Sequence, residues 1–278
     1  MIQAAVCRGV DPAPSNIGMT DVKQVEAATR AMRAVDYQFG GGACRDAVVA
    51  QLSWAQRLLG ASGTEEVRQR LFRALSDLQN LAGWTNFDVG LLDSSHNYFA
   101  TALEFAKQSG DSGLMSNIMY RIGRVYLHHG LANDALKWFQ LGQIAAQGSG
   151  SELAVAVLCS NEAWAYAMMG DDLQAKKLLG RSRDELAKAN LAEAPDWARF
   201  YNDTDMYAMT GTVHNELSAL DPRHAAIAIP AFGPALAWPW PATTTRSPVA
   251  RRSLSPCWRP ATCAKTMSST VSWPAERP

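Results

Sequence analysis

The stretch Gly123-Arg124-Val125-Tyr126-Leu127-His128-His129-Gly130-Leu131-Ala132-Asn133-Asp134-Ala135-Leu136-Lys137-Trp138-Phe139 holds the pattern that decides the fold. It reads as a helix, a short turn at Gly130, and a second helix that doubles back. The same pattern recurs on both sides of it at intervals of 40 residues: Gly90, Gly130 and Gly170 each close a helix and open a short turn. Seven residues before each turn stands a small residue, Gly83, Gly123 or Ala163, and four before it Asn86, Tyr126 or Tyr166. After the turn come Ser95, Ala135 and Ala175, then Phe99, Phe139 and Leu179, then Ala102, Gly142 and Ser182.

The physics of the pattern is close packing. Two helices approach only where small residues face one another, here Gly123 and Ala135, and large rings such as Tyr126 and Phe139 fill the adjoining space. The turn glycine supplies the positive φ that a helix C-terminus commonly needs. One such pair cannot bury its apolar surface alone, so neighbouring pairs must stack.

The flanks read as further helices. Asp21–Asp36 carries Val22, Val25, Ala28, Met32 and Val35 at helical spacing, with Thr20 as a candidate cap. Gly40-Gly41-Gly42 breaks it. A second helix is expected from about Ala43 to Leu59 with Val48, Leu52, Ala55 and Leu59 on one side, and a third from Thr64. Residues 1–19, with Asp11-Pro12-Ala13-Pro14, are linker-like. Asp221-Pro222 opens another helix, which Pro230 and Pro234 are expected to interrupt. This divides the chain into a linker (1–19), a helical-repeat domain (20–229) and a tail (230–278).

The tail changes composition. From Ala231 onward Glu276 is the sole acid, against Arg246, Arg251, Arg252, Arg259, Lys265 and Arg277, among many prolines. Two readings compete: a disordered basic tail, or translation out of frame. The second is supported by a helical, repeat-like string that another frame of Leu254–Glu276 can encode with GC-rich codons.

The 26 basic and 26 acidic side chains balance over 278 residues, which leaves the part before the tail mildly acidic. Such a body offers no broad attraction for nucleic acid. Cys7, Cys44, Cys159, Cys257 and Cys263 show no zinc spacing and no disulfide framework. There is no signal-peptide pattern and no apolar run of the length needed to span a bilayer. The expectation is a cytoplasmic protein without cofactor or membrane partner, for which self-association is compatible.

Several motifs have bland explanations. Gly40-Gly41-Gly42 lacks the downstream Gly-Lys-Ser/Thr of a phosphate loop. His128-His129 has no third ligand at a metal-binding spacing and suits a helix C-terminus. Asp171-Asp172, Asp184-Glu185 and Asp203/Asp205 are helix starts or solvated faces by default, so no catalytic set and no metal site is assigned.

A small residue at position eight, Tyr at eleven, Gly at fifteen, Ala at twenty and Phe at twenty-four is the tetratricopeptide signature. Gly123, Tyr126, Gly130, Ala135 and Phe139 match it, although the usual period is about 34 residues. The first unit departs from it at Asn86 and Ser95. Together with Asp36-Tyr37-Gln38-Phe39-Gly40-Gly41-Gly42, the chain resembles the sensory region of actinobacterial helix-turn-helix transcriptional regulators, without a DNA-binding head. The resemblance implies an all-α, right-handed solenoid of antiparallel helix pairs. It also implies a concave groove lined by the first helix of each pair, here Asn80, Trp84, Asn117, Tyr120, Arg121, Arg124, His128, Asn161, Trp164 and Met168. Asn and Arg can hold the amides and carboxylate of an extended peptide, and Trp and Tyr can anchor apolar groups. The implied function is regulatory binding of a peptide, a protein or a small signal. A regulator acting on DNA, directly or through a full-length homologue, is the alternative, and an enzyme the third.

Overall fold

The computed structural model describes residues 14–236. They form ten α-helices with no strand among the described residues: α1 (Met19–Phe39), α2 (Arg45–Gln56), α3 (Glu65–Asp88), α4 (Leu92–Ser109), α5 (Ser112–His128), α6 (Ala132–Gly148), α7 (Glu152–Met168), α8 (Asp172–Lys188), α9 (Asp203–Leu217) and α10 (Ala225–Leu236). The tail beyond residue 236, with its two readings, and most of the linker lie outside the described residues.

Helices α3/α4, α5/α6, α7/α8 and α9/α10 pack as adjacent pairs. The second helix of each pair also touches the first helix of the next, and α3, α5, α7 and α9 touch in succession. Helices α1 and α2 pack on α3. The expected start at Thr20 shifts slightly: Gly18 precedes α1, and its N–H donates to the Asp21 carboxylate at 2.8 Å. Thr64 caps α3 by accepting from the Val67 N–H at 3.3 Å. The segment before α1 is pinned by the Ile17 N–H, which donates to the Ser62 carbonyl at 2.8 Å.

Positive φ falls at Gly90, Gly130 and Gly170, and also at Gly110 and Gly150 between pairs, so a left-handed glycine ends each helix from α3 to α7. Within a pair the small residues do face one another: the Ser95 hydroxyl donates to the Gly83 carbonyl at 2.8 Å. The ring packing differs from expectation. A side chain added to Gly123 would strike the Phe139 ring, and one on Gly83 would meet Phe99 at 2.7 Å. The phenyl group thus lies on the glycine itself, while Tyr126 stacks on His96 of the preceding pair, centroids 6.0 Å apart. The opposite end of two pairs, α3/α4 and α7/α8, is tied by a hydroxyl: Ser76 to the Ala102 carbonyl at 2.7 Å, and Ser182 to the Ala156 carbonyl at 2.8 Å.

The departures at Asn86 and Ser95 have a local cause. Asn86 is fully buried and accepts from Arg45 Nε at 3.0 Å, so an amide from α3 meets a cation from α2 where later pairs carry tyrosine. Gly41 sits in the turn before α2, and its N–H donates to Asp88 at 3.0 Å; the triple glycine therefore lets that turn lie against α3.

The fourth pair corrects the sequence reading. Helix α10 runs through Pro230 and Pro234 to Leu236. A proline inside a helix costs about 3 kcal/mol, and packing offsets it: a side chain on Gly211 would meet Phe232 at 2.8 Å, the same ring-on-glycine contact as before. His214 and His224 join α9 to the turn before α10, with their Nδ1 atoms 2.7 Å apart, so one donates and the other accepts. Burial, then the His224 and Lys176 charges, push His214 below the ordinary histidine range, against the pull of Asp172.

Cys44 and Cys159 are buried free thiols, and burial pushes Cys159 up to about 12. Beside Cys159, Glu162 is 4% exposed and accepts from the Gln143 amide. Burial pushes its carboxyl up to about 7.

Two outcomes follow from this packing. Gly123→Ala is expected to lower stability by about 1–3 kcal/mol through overpacking. Gly180→Ala, where nothing lies within 4 Å, should raise it by up to about 1 kcal/mol. Urea denaturation of both variants measures the sign reversal. For Glu162 the folded state binds the proton more tightly, so stability is lost as pH rises from about 4.3 through about 7. Glu162→Gln should match the parent near pH 4 and exceed it by about 2–4 kcal/mol at pH 8.

Candidate functional site

The structure joins Asn80 and Trp84 to Arg121, and His128, Asn161 and Trp164 to Arg124, and all ten expected groove residues lie on α3, α5 and α7. Eight of them are buried, Asn80, Trp84, Asn117, Tyr120, Arg121, Arg124, Asn161 and Trp164, while His128 and Met168 are partly so. They form a polar and aromatic seam between successive first helices. The Arg121 guanidinium lies 5.3 Å from the Trp84 ring centre, and that of Arg124 lies 4.9 Å from Trp164. Cation–π contacts of this kind strengthen when desolvated, and Arg124 is only 1% exposed.

Hydrogen bonds fix the seam. Arg124 Nη1 donates to Asn161 Oδ1 at 3.2 Å, and Nη2 stands 3.3 Å from His128 Nε2. A guanidinium only donates, so Nε2 of His128 must accept. The His128 ring meets Phe87 and, edge-on, Trp164. His129 points elsewhere, with Nδ1 2.7 Å from the Val125 carbonyl, so Nδ1 is the protonated nitrogen. Arg121 donates to the Asn80 carbonyl at 3.4 Å.

Helix α1 adds a buried carboxylate. Asp36 is 0% exposed, and its desolvation raises its proton affinity against the pull of Arg121 and Arg33. Both Asp36 oxygens, both polar atoms of the Asn80 amide and the indole N–H groups of Trp164 and Trp197 are buried without a hydrogen-bond partner among the described residues. Buried polar atoms are rarely left unpaired.

The seam opens at one end into a cleft of about 420 Å³. Its walls are α1, α3, the start of α5 and the irregular segment between α8 and α9. Three ion pairs stitch these walls together. Arg70 grips Glu26 with two bonds of 2.8 and 3.0 Å, Arg33 meets Asp77 at 2.6 Å, and Arg73 meets Asp111 at 2.6 Å. The Arg70 hydrogen bonds hold the Glu26 carboxyl below its ordinary value. Asp111 does double service, since its other oxygen caps α5 through the Leu114 N–H at 2.8 Å. Arg30 also faces the cleft, with Asn117 at its floor and Trp197 as an aromatic wall. A second, more open hollow of about 780 Å³ shares Arg70, Arg73 and Asp111 and continues past the turns at Gly110 and Gly150.

Of the residues expected from sequence, Asn117 is the one that lines the cleft. The arginines were missed, although Arg30/Arg33 and Arg70/Arg73 are each three apart and so share a helix face. The lining presents guanidinium donors, carboxylate acceptors, one amide and one indole. That chemistry suits reversible binding of a polar, extended ligand.

Comparison with family models, with curated proteins and with solved structures finds no match to this chain.

Arg124→Ala is expected to cost about 3 kcal/mol or more, because it strips a desolvated cation from its partners. Arg30→Ala, on the exposed side of α1, should change stability by less than about 0.5 kcal/mol. Chemical denaturation separates the two.

Proposed function

We propose that this chain is a cytoplasmic regulatory binding module of the tetratricopeptide type. In this reading the helix pairs continue into a right-handed solenoid whose inner face takes a peptide, a protein segment or a small signal, as in the sensory half of a bacterial transcriptional regulator. The role is binding, without catalysis. The observation that carries it is the cleft beside the seam: charged donors and acceptors from three helices converge with Asn117 and Trp197 on one opening. Arg30 and Arg73 expose guanidinium to it, so a ligand gains charge-assisted hydrogen bonds there without dismantling the core.

The site differs in one respect from the groove implied by the resemblance. Arg121, Arg124 and Asn161 are interior, so their truncation weakens the fold before it reports on a ligand. Contact with a ligand falls instead to the side chains that line the opening.

A random linear peptide library selected on the immobilised chain tests this. Recovered peptides should lose about 10-fold or more in affinity when Arg30, Arg73 and Asn117 are replaced by Ala, Ala and Leu, with helix content unchanged. Recovery of peptides indifferent to these substitutions, or of none, removes the assignment.

A further inference from the structure

The connection between α8 and α9 breaks the rhythm of the stack. From α3 to α8 the helices are joined by turns as short as 110–111 and no longer than 129–131, whereas residues 189–202 form one long irregular run. Loops of more than about 12–15 residues without regular structure are uncommon in compact domains and are often functional.

This run is braced mainly on itself. Arg199 Nε donates to the Ala194 carbonyl at 2.9 Å and the same guanidinium pairs with Asp196 at 3.0 Å. The Ala198 N–H donates to the Pro195 carbonyl at 2.9 Å, and the Ala192 N–H to Asn190 Oδ1 at 3.1 Å. One end is anchored: Tyr201 is 2% exposed, its hydroxyl 3.1 Å from Ser182 Oγ and 3.3 Å from Met206 Sδ. The middle reaches across to α5, where Trp197 stacks on Tyr120 with centroids 5.8 Å apart and planes 24° from parallel. Trp197 is 8% exposed, and its indole N–H is buried with no partner among the described residues.

We propose that residues 190–201 are a displaceable strap, an internal occupant of the inner face, and that a peptide bearing an aromatic side chain takes the place on Tyr120 when Trp197 leaves. The proposal rests on the binding role given above and names the ligand's anchor. Three observations support it. The strap's hydrogen bonds run mostly within itself, so it can move as a unit about Tyr201 by undocking the buried Ala194, Trp197 and Ala198. Pro195, Asp196 and Trp197 form one wall of the cleft, so their departure widens it. The unpaired indole N–H leaves Trp197 an imperfect occupant, because that group loses its hydrogen bond to water on docking.

The probe is a labelled synthetic peptide with the sequence of residues 190–198, in which Trp197 is the sole aromatic residue, together with its counterpart carrying Ala for Trp. A tethered occupant competes at an effective concentration in the millimolar range, so removing it should tighten binding of the free peptide by about 10-fold or more. Trp197→Ala in the full chain is therefore expected to bind the peptide that much better than the parent, and neither protein should bind the Trp-less peptide. Trp197→Phe, which keeps a ring in place, should behave like the parent, and circular dichroism confirms that each variant is folded. Equal binding by parent and Trp197→Ala overturns the strap. So does hydrogen exchange of the strap amides in the parent as slow as that of α5 and α7, which would make the segment fixed core. Either result leaves standing the cleft's response to Arg30, Arg73 and Asn117.

Discussion

A flat ring laid on a residue that has no side chain is the contact on which the architecture depends. It occurs at Gly83 with Phe99, Gly123 with Phe139 and Gly211 with Phe232. Each lets two helix axes approach while a phenyl group fills the space a β-carbon would occupy, so the pair gains close packing and ring burial from one feature. Ala163 and Leu179, both buried, are the third pair's version with an aliphatic side chain. The left-handed glycine that ends a helix then directs the chain back along its partner.

The repeat was legible because it is written in residue types with narrow uses: small residues at the crossing and glycine at the turn. Two of the five turns between α3 and α8 were not. Gly110 and Gly150 have positive φ like Gly90 and Gly130, but they sit among different neighbours, and only alternate turns look alike in sequence. The fourth pair escaped notice because its glycine and ring stand further apart in the chain than in the earlier pairs, and because Pro230 argues locally against helix. Packing on α9 overrides that local preference.

The candidate site was legible only in part, for a related reason. Sequence identified the helices and the side chains that meet along the seam. It could not show that this seam is covered, because the covering elements come from outside the repeat: α1 brings Asp36 and Arg33, and the run before α9 brings Trp197. Burial is a property of such distant partners. The same distance explains why Arg30 and Arg70, unremarkable on their own helices, come to frame one opening.

The short turns carry a consequence for how the molecule reaches its final form. Helix pairs joined by two or three residues make their contacts between near neighbours in the chain, and such low contact order favours rapid assembly. The Trp197–Tyr120 stack joins segments separated by three intervening helices and must wait until those are in place. Closing it, like bringing Asp36 of α1 against Arg121, carries a loop-closure entropy that the helical hairpins avoid.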